Sequence, residues 1–312
     1  MSKENINLAL PTRLLICVTF HYVAARLIYL EQISKHFSSL GEQVTVFIIT
    51  NTSNSTELNE INHVMKRALL DDYSIIVPEY LGHPYLLTWA HLSVFRKFYP
   101  QDIYSHFLYT EDDICITKEN LIYWIREREI LKPYGLIPSF IRYEFKNKEA
   151  EKFATDFSCH VNFHAMPNLK HKNYIYLNMS NPYQAVYLMD KELMGEHLHG
   201  ESSDPDFGKW DFGQWDIRAR AASGATFLNV PNKFLSRNVV RITFPDMQID
   251  KNALIHHTPN NYTNNPNTRD GKILISQLIK KGFIWNLKSL FTKFKRLRKK
   301  LKKYIKLALV KK

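Results

Sequence analysis

Strand-like and helix-like segments alternate four times in the first 131 residues, and few folds accommodate that rhythm. Residues 13–22 (RLLICVTFHY) are apolar, β-branched and aromatic, the pattern of a buried strand. Apolar residues at Ala24, Leu27, Ile28, Leu30, Ile33 and Phe37 follow at roughly helical spacing, and Gly41 stops them. Residues 43–50 (QVTVFIIT) read as the second strand, 58–70 as a helix and 74–80 as the third strand. Residues 84–98 read as a helix with proline in its first turn. Residues 106–109 (HFLY) form the fourth strand, and 117–131 the next helix, with Thr117 as N-cap. This order predicts an α/β fold with a doubly wound, mainly parallel sheet. Ligands of such sheets bind beyond the carboxyl ends of the strands, here residues 21–26, 51–56, 80–84 and 111–113.

The second half is less regular. Residues 135–145, 183–189 and 225–230 read as strands, and 217–223 as a helix ending at Gly224. Residues 253–257 are short and apolar and end in two histidines, and 258–271 have the composition of a linker. The expected organisation is a catalytic domain over 1–258, a linker over 259–272 and a basic tail over 273–312.

The fourth strand runs directly into Glu111, Asp112 and Asp113. Three consecutive carboxylates at a strand end repel one another unless a cation binds them, and a hard divalent ion with a phosphate is the obvious occupant. Residues 107–114 (FLYTEDDI) resemble the DxD-type acidic motif of the GT-A fold nucleotide-sugar glycosyltransferases, with Glu111 and Asp113 in the two acidic positions. The resemblance implies a Rossmann-like GT-A fold over roughly residues 12–258. It implies that Asp113 with Glu111 binds Mn²⁺ or Mg²⁺ carrying the donor's diphosphate, with Asp112 on the donor side. Residues 212–224 (FGQWDIRARAASG) are similar to the family's second acidic motif, which begins a helix and supplies the base of inverting members. Trp215 stands where the commoner Glu would be, which leaves Asp216 and Asp211 as alternatives for the base. Residues 255–262 (IHHTPNNY) look like the late histidine element, so His256 or His257 would complete the metal shell.

Chemistry asks for the same parts. Sugar transfer needs a cation on the leaving diphosphate, a carboxylate to take the acceptor's proton, and a loop for the nucleotide. Thr19, His21, Tyr22 and Arg26 occupy the loop after the first strand and offer donors and a stacking ring. His83 precedes a helix start, where an anion is favoured. Trp89 and Phe95, in the same helix, read as core. In residues 199–216, Glu201, Trp210 and Trp215 combine carboxylate and aromatic faces suited to an acceptor sugar.

Fifteen of the 42 Lys and Arg residues, and none of the 30 Asp and Glu, lie from Gly271 onward. The body is therefore mildly acidic and the tail carries the whole excess of +12, so no nucleic acid is expected as a partner of the body. Leu287, Leu290, Phe291, Phe294, Leu297, Leu301, Tyr304, Ile305 and Ala308 fall on one stripe of a basic amphipathic helix, the pattern of an anchor on an anionic membrane surface. The first eleven residues have no secretory pattern, and the three cysteines are scattered, so a cytoplasmic protein, peripheral on the inner face of the membrane, is expected. The expected function is transfer of a sugar from a nucleotide diphosphate donor to a surface-glycan or lipid-linked acceptor, inverting through an Asp base. A Mg²⁺-dependent nucleotidyltransferase is the enzyme alternative, disfavoured because the first loop, TFHYVAAR, lacks glycine. A membrane or nucleic-acid adaptor would leave the carboxylates at 111–113 unexplained.

Overall fold

The computed structural model describes residues 10–70, 72–147, 150–207 and 215–281. In chain order the first half holds β1 (Arg13–Phe20), α1 (Leu27–Ser34), β2 (Gln43–Thr50), α2 (Ser55–Arg67), β3 (Asp72–Ile76), α3 (His91–Phe98), β4 (His106–Glu111), β5 (Ile114–Cys115), α4 (Lys118–Leu131), β6 (Ile137–Pro138) and β7 (Ile141–Phe145). The second half holds β8 (Lys152–Ala154), β9 (Val161–Asn162), β10 (Asn168–His171), β11 (Tyr174–Asn178), β12 (Val186–Asp190), α5 (Lys191–His199), α6 (Ile217–Ala221), β13 (Asn238–Thr243), β14 (Leu254–His257) and α7 (Asn261–Asn264), then β15 (Ile273–Leu274) and β16 (Ile279–Lys280).

The fold is the mixed α/β arrangement expected, with a mainly parallel central sheet in the order β12-β4-β1-β2-β3. Strands β1 to β4 run parallel, and β12 joins the edge antiparallel to β4. Seven of the eight residues of β1 are buried, because helices cover both faces of the sheet. Strand order reverses between β1 and β4, with Thr19 opposite Glu111 in the register. A crevice opens at such a switch point, beyond the carboxyl ends of both strands.

A second sheet, β15-β8-β7-β14-β5, stands beside that crevice. Its edge strand β5 begins one residue after Asp113 and pairs antiparallel with β14, placing His257 opposite Ile114. β14 in turn lies parallel to β7.

Several elements differ from expectation for local reasons. The helix expected after β1 is divided into a 3-10 turn (Ala24–Arg26), α1 and a second 3-10 turn (Phe37–Ser39). The hydroxyls of Ser34 and Ser39 donate to the carbonyls of Glu31 and His36, competing with helix continuation. The strand expected over 135–145 is two strands: β6 joins β13, β7 joins β14, and the intervening Phe140 amide donates to Gln184. The strand expected over 225–230 is a 3-10 turn (Gly224–Phe227) instead. It starts from a left-handed Gly224, where a Cβ would sit 2.6 Å from Met189.

The segment expected as a linker carries α7 and packs onto the domain. Lys272 Nζ donates to the carbonyls of Tyr262, Thr263 and Asn265 at 2.8–2.9 Å. No helix among the described residues is long and apolar enough to cross a membrane. Residues 287–312, which carry the amphipathic stripe, lie outside the described residues.

Candidate active site

The switch point gathers charge from four distant parts of the chain. Beyond β1 the 3-10 turn brings Arg26 back over the end of β4. Its Nε donates to Asp112 Oδ2 at 2.8 Å, and its Nη2 to Asp112 Oδ1 at 2.6 Å and Asp113 Oδ2 at 2.9 Å. Asp112 and Asp113 are buried, and Asp113 Oδ1 has no hydrogen-bond partner. The Asp113 carbonyl is fixed from the other side by the Thr258 amide at 2.9 Å.

The register of β5 on β14 delivers the histidine. His257 Nε2 lies 3.5 Å from Asp113 Oδ2, and its Nδ1 lies 2.5 Å from Glu144 Oε1 on β7. Glu144 is fully buried and also accepts the amides of Tyr262 and Thr263. Side chains alternate along a strand, so His256 faces the other way. It stacks on Tyr143 with ring centroids 5.2 Å apart and pairs with Asn260.

Electrostatics follow from these contacts. Burial pushes the Glu111 carboxyl up to about 7. Burial would raise Asp113 too, but His257 and Arg26 outweigh it and hold that carboxyl at about 2. Burial would lower His257, yet its contacts with Asp113 and Glu144 raise it to about 8. Glu111 accepts the Tyr183 hydroxyl at 3.0 Å, and Tyr183 lies under the buried Arg142 guanidinium, which is itself paired with Asp156.

Of these groups, Arg26, Glu111, Asp112, Asp113, Arg142, Tyr183 and His257 line a cavity of about 700 Å³, within the range of small-molecule sites. Thr19, His21, Tyr85, Trp215, Asp216 and Arg218 line it as well. Asp216 is the N-cap of α6. Its Oδ1 accepts the amides of Arg218 and Ala219, and its Oδ2 accepts Arg218 Nε and Nη2 at 3.1 and 2.5 Å. Partial burial would raise Asp216, but these bonds outweigh it and keep the carboxyl below its ordinary value. Arg218 also stacks over the Tyr85 ring at 4.5 Å.

The other expected residues fall at the margins. Tyr22 bonds Glu60 through its hydroxyl and Asn51 through its amide, outside the cavity lining. His83 caps the 3-10 turn Pro84–Trp89 by accepting the Tyr85 amide. Glu201 is exposed at the start of a 3-10 turn and is not among the lining residues. Trp210 and Asp211 lie outside the described residues. Arg142, Glu144, Tyr183 and Arg218 join the site or its support without a sequence motif that marks them. Arg142 and Glu144 stand two residues apart in an otherwise apolar strand, which places both on one face, and that pair was the readable signal.

No family model matches the chain, and no curated protein matches it. Solved structures align with parts of it. The mannosyltransferase PcManGT from Pyrobaculum calidifontis, in complex with GDP-Man and Mn²⁺, is 9% identical over 43% of this chain and 36% of its own, with a TM-score of 0.31. S. aureus TarS is 12% identical over 59% of this chain and 29% of its own, with a TM-score of 0.33. TarS 1-349 is 13% identical over 59% and 48%, with a TM-score of 0.34. The chain spans less than half the length of each. At such similarity the ground for function is the site's own geometry.

The His257 contacts make a pH prediction for chelator-treated protein. The folded value of about 8 exceeds the unfolded 6.5, so the stabilisation is fully present below pH 6.5 and is lost as pH rises through 8. In urea unfolding the His257 share of the loss between pH 6 and 9 should be about 2 kcal/mol, added to the loss from Glu111 and Asp112, whose folded values of about 7 also lie above their unfolded ones. His257→Gln should reduce the slope by that share; an unchanged slope in the variant would reject the assignment.

Proposed function

We propose that this chain is a metal-dependent glycosyltransferase that moves a sugar from a nucleoside diphosphate donor to a hydroxyl of a glycan or lipid-linked acceptor. The observation that carries the reading is the bare, buried Oδ1 of Asp113 in the cavity wall, beside a histidine held by a second carboxylate. Among the described residues no three His, Cys, Asp or Glu side chains make a closed metal cage. A Mn²⁺- or Mg²⁺-type ion does not require one, since one or two protein ligands, waters and substrate phosphates suffice. Asp113 and His257 fit that role. Glu144 engages the Nδ1 side of His257 and leaves Nε2 toward Asp113, the usual outer support of a ligating imidazole. Bound there, the ion would neutralise charge on the departing diphosphate.

The remaining roles belong to the chain's own side chains. Thr19, His21 and Arg26 line the donor side, with Tyr22 and His83 at its margins. Glu111 and His256 stand in the same neighbourhood, one tied to Tyr183 and the other on the reverse face of β14. Asp216 takes the acceptor's proton, with Asp211 as the alternative. Its Oδ2 becomes available when the half-exposed Arg218 turns toward an incoming anion. Trp215 and Tyr85 give the acceptor an aromatic floor, with Trp210 and Glu201 nearby in sequence. The tail holds the enzyme on the cytoplasmic face of an anionic membrane, close to a lipid-linked acceptor.

Three measurements test this reading. Thermal shift with UDP or GDP should rise with Mn²⁺ in the parent protein. Asp113→Asn should abolish the metal-dependent part while the unliganded melting curve stays two-state. Metal-independent stabilisation in both proteins would reject the metal site. Asp216→Asn should lower turnover by about 10²-fold or more with donor affinity unchanged, since asparagine caps a helix as well as aspartate. Full activity in that variant transfers the role to Asp211, tested by the same substitution there. Removing residues 287–312 should release the protein from anionic vesicles in co-sedimentation. Salt should weaken attachment of the full chain without abolishing it, because the apolar face is not screened. Equal sedimentation of both forms would show that the tail is no anchor.

A further inference from the structure

Arg26 lines the cavity, yet its guanidinium is committed to the acidic triplet. It grips both oxygens of Asp112 in the fork geometry that suits a carboxylate and reaches Asp113 only through the shared Nη2. Both Asp112 oxygens are thereby occupied. Asp113 differs, since its Oδ1 is buried with no partner. Glu111 is tied to Tyr183. The neighbouring carboxylates thus differ: both oxygens of Asp112 are taken by arginine, whereas Asp113 keeps one buried oxygen without a partner.

Resting on the glycosyltransferase reading, we propose that Arg26 is a positioning residue that withholds Asp112 from the divalent ion. The triplet then offers the ion Asp113 and the second oxygen of Glu111 without Asp112, and firm binding requires the donor's diphosphate as well. The physical basis is ligand count. Affinity for a hard cation rises with the number of charged oxygens, so withholding Asp112 weakens the hold on the bare ion. A diphosphate adds the missing oxygens. The fixed guanidinium adds a positive charge beside the ion, which disfavours the bare ion and favours the anionic donor. Metal and donor therefore arrive and leave as a unit.

The test is calorimetric titration of Mn²⁺ into the parent, Arg26→Gln, Asp112→Asn and the double variant, each with and without UDP or GDP. In the parent, Mn²⁺ should bind weakly alone and much more tightly with nucleotide. Arg26→Gln frees Asp112 as a further carboxylate, so Mn²⁺ alone should bind about tenfold tighter or more, with less gain from nucleotide. Asp112→Asn leaves the guanidinium uncompensated, so Mn²⁺ alone should bind no tighter than in the parent, and the double variant, which keeps the net charge, should return to the parent value. A loss of packing predicts no tighter binding, so this gain separates positioning from a structural role. Unchanged or weaker Mn²⁺ binding in Arg26→Gln overturns the role of Arg26. Should that variant fail to fold, Arg26→Lys replaces it, since lysine keeps the charge but cannot close both Asp112 oxygens in a fork; Mn²⁺ binding no tighter than in the parent then overturns the role equally. A parent that binds Mn²⁺ with neither nucleotide overturns the metal site itself, a result distinct from normal synergy in the parent with an unresponsive variant.

Discussion

Two neighbouring carboxylates buried at the end of a core strand, with a third beside them, impose the constraint that organises this molecule. Asp112 and Asp113 are each less than a tenth exposed, and Glu111 stands one residue before them. Buried charge of one sign is tolerated only where opposite charge and hydrogen bonds meet it. Arg26, His257, Tyr183 and Arg142 all converge for that reason, and Glu144 and Asp156 are drawn in behind them as partners of the cations. Remove the triplet and several of these buried polar groups lose their reason to be buried.

Compensation is incomplete at one atom. Asp113 Oδ1 is buried without a partner, while both oxygens of Asp112 are bonded by Arg26. An uncompensated polar atom is costly in a purely structural network, where all members tend to be satisfied. Asp216, also in the cavity lining, shows the contrasting case of a half-exposed carboxylate whose two oxygens are both bonded, by Arg218 and two amides.

Local pattern made the first half legible and the partner charges mostly illegible. Continuous apolar runs located β1, β2 and β4, and the strand-to-acid transition at 109–111 located the triplet. The position of β1 between β2 and β4 follows from general rules of parallel sheets. Periodicity carries no record of pairing between distant strands, so nothing local distinguishes His257 from His256. The antiparallel register of β14 on β5 makes that distinction. Arg142 and Glu144 have the pattern of an exposed face, an isolated charged pair in a short strand, and only the position of β7 between β8 and β14 buries them. The interruptions at Pro138 and Gly224 depend on contacts with Gln184 and Met189, which no window of sequence contains.

The register of β5 on β14 also has a temporal meaning. Arg26 precedes Asp113 by 87 residues along the chain, whereas Thr258, next to His257, follows it by 145. A chain made from its amino terminus therefore has the arginine in hand when the acids emerge and lacks the histidine until the second half has been synthesised. Non-local pairing of that span is slow to form. Through that interval the arginine fork is the nascent triplet's cationic partner from upstream, so the half-made domain can close its central sheet without leaving the acids wholly unmatched.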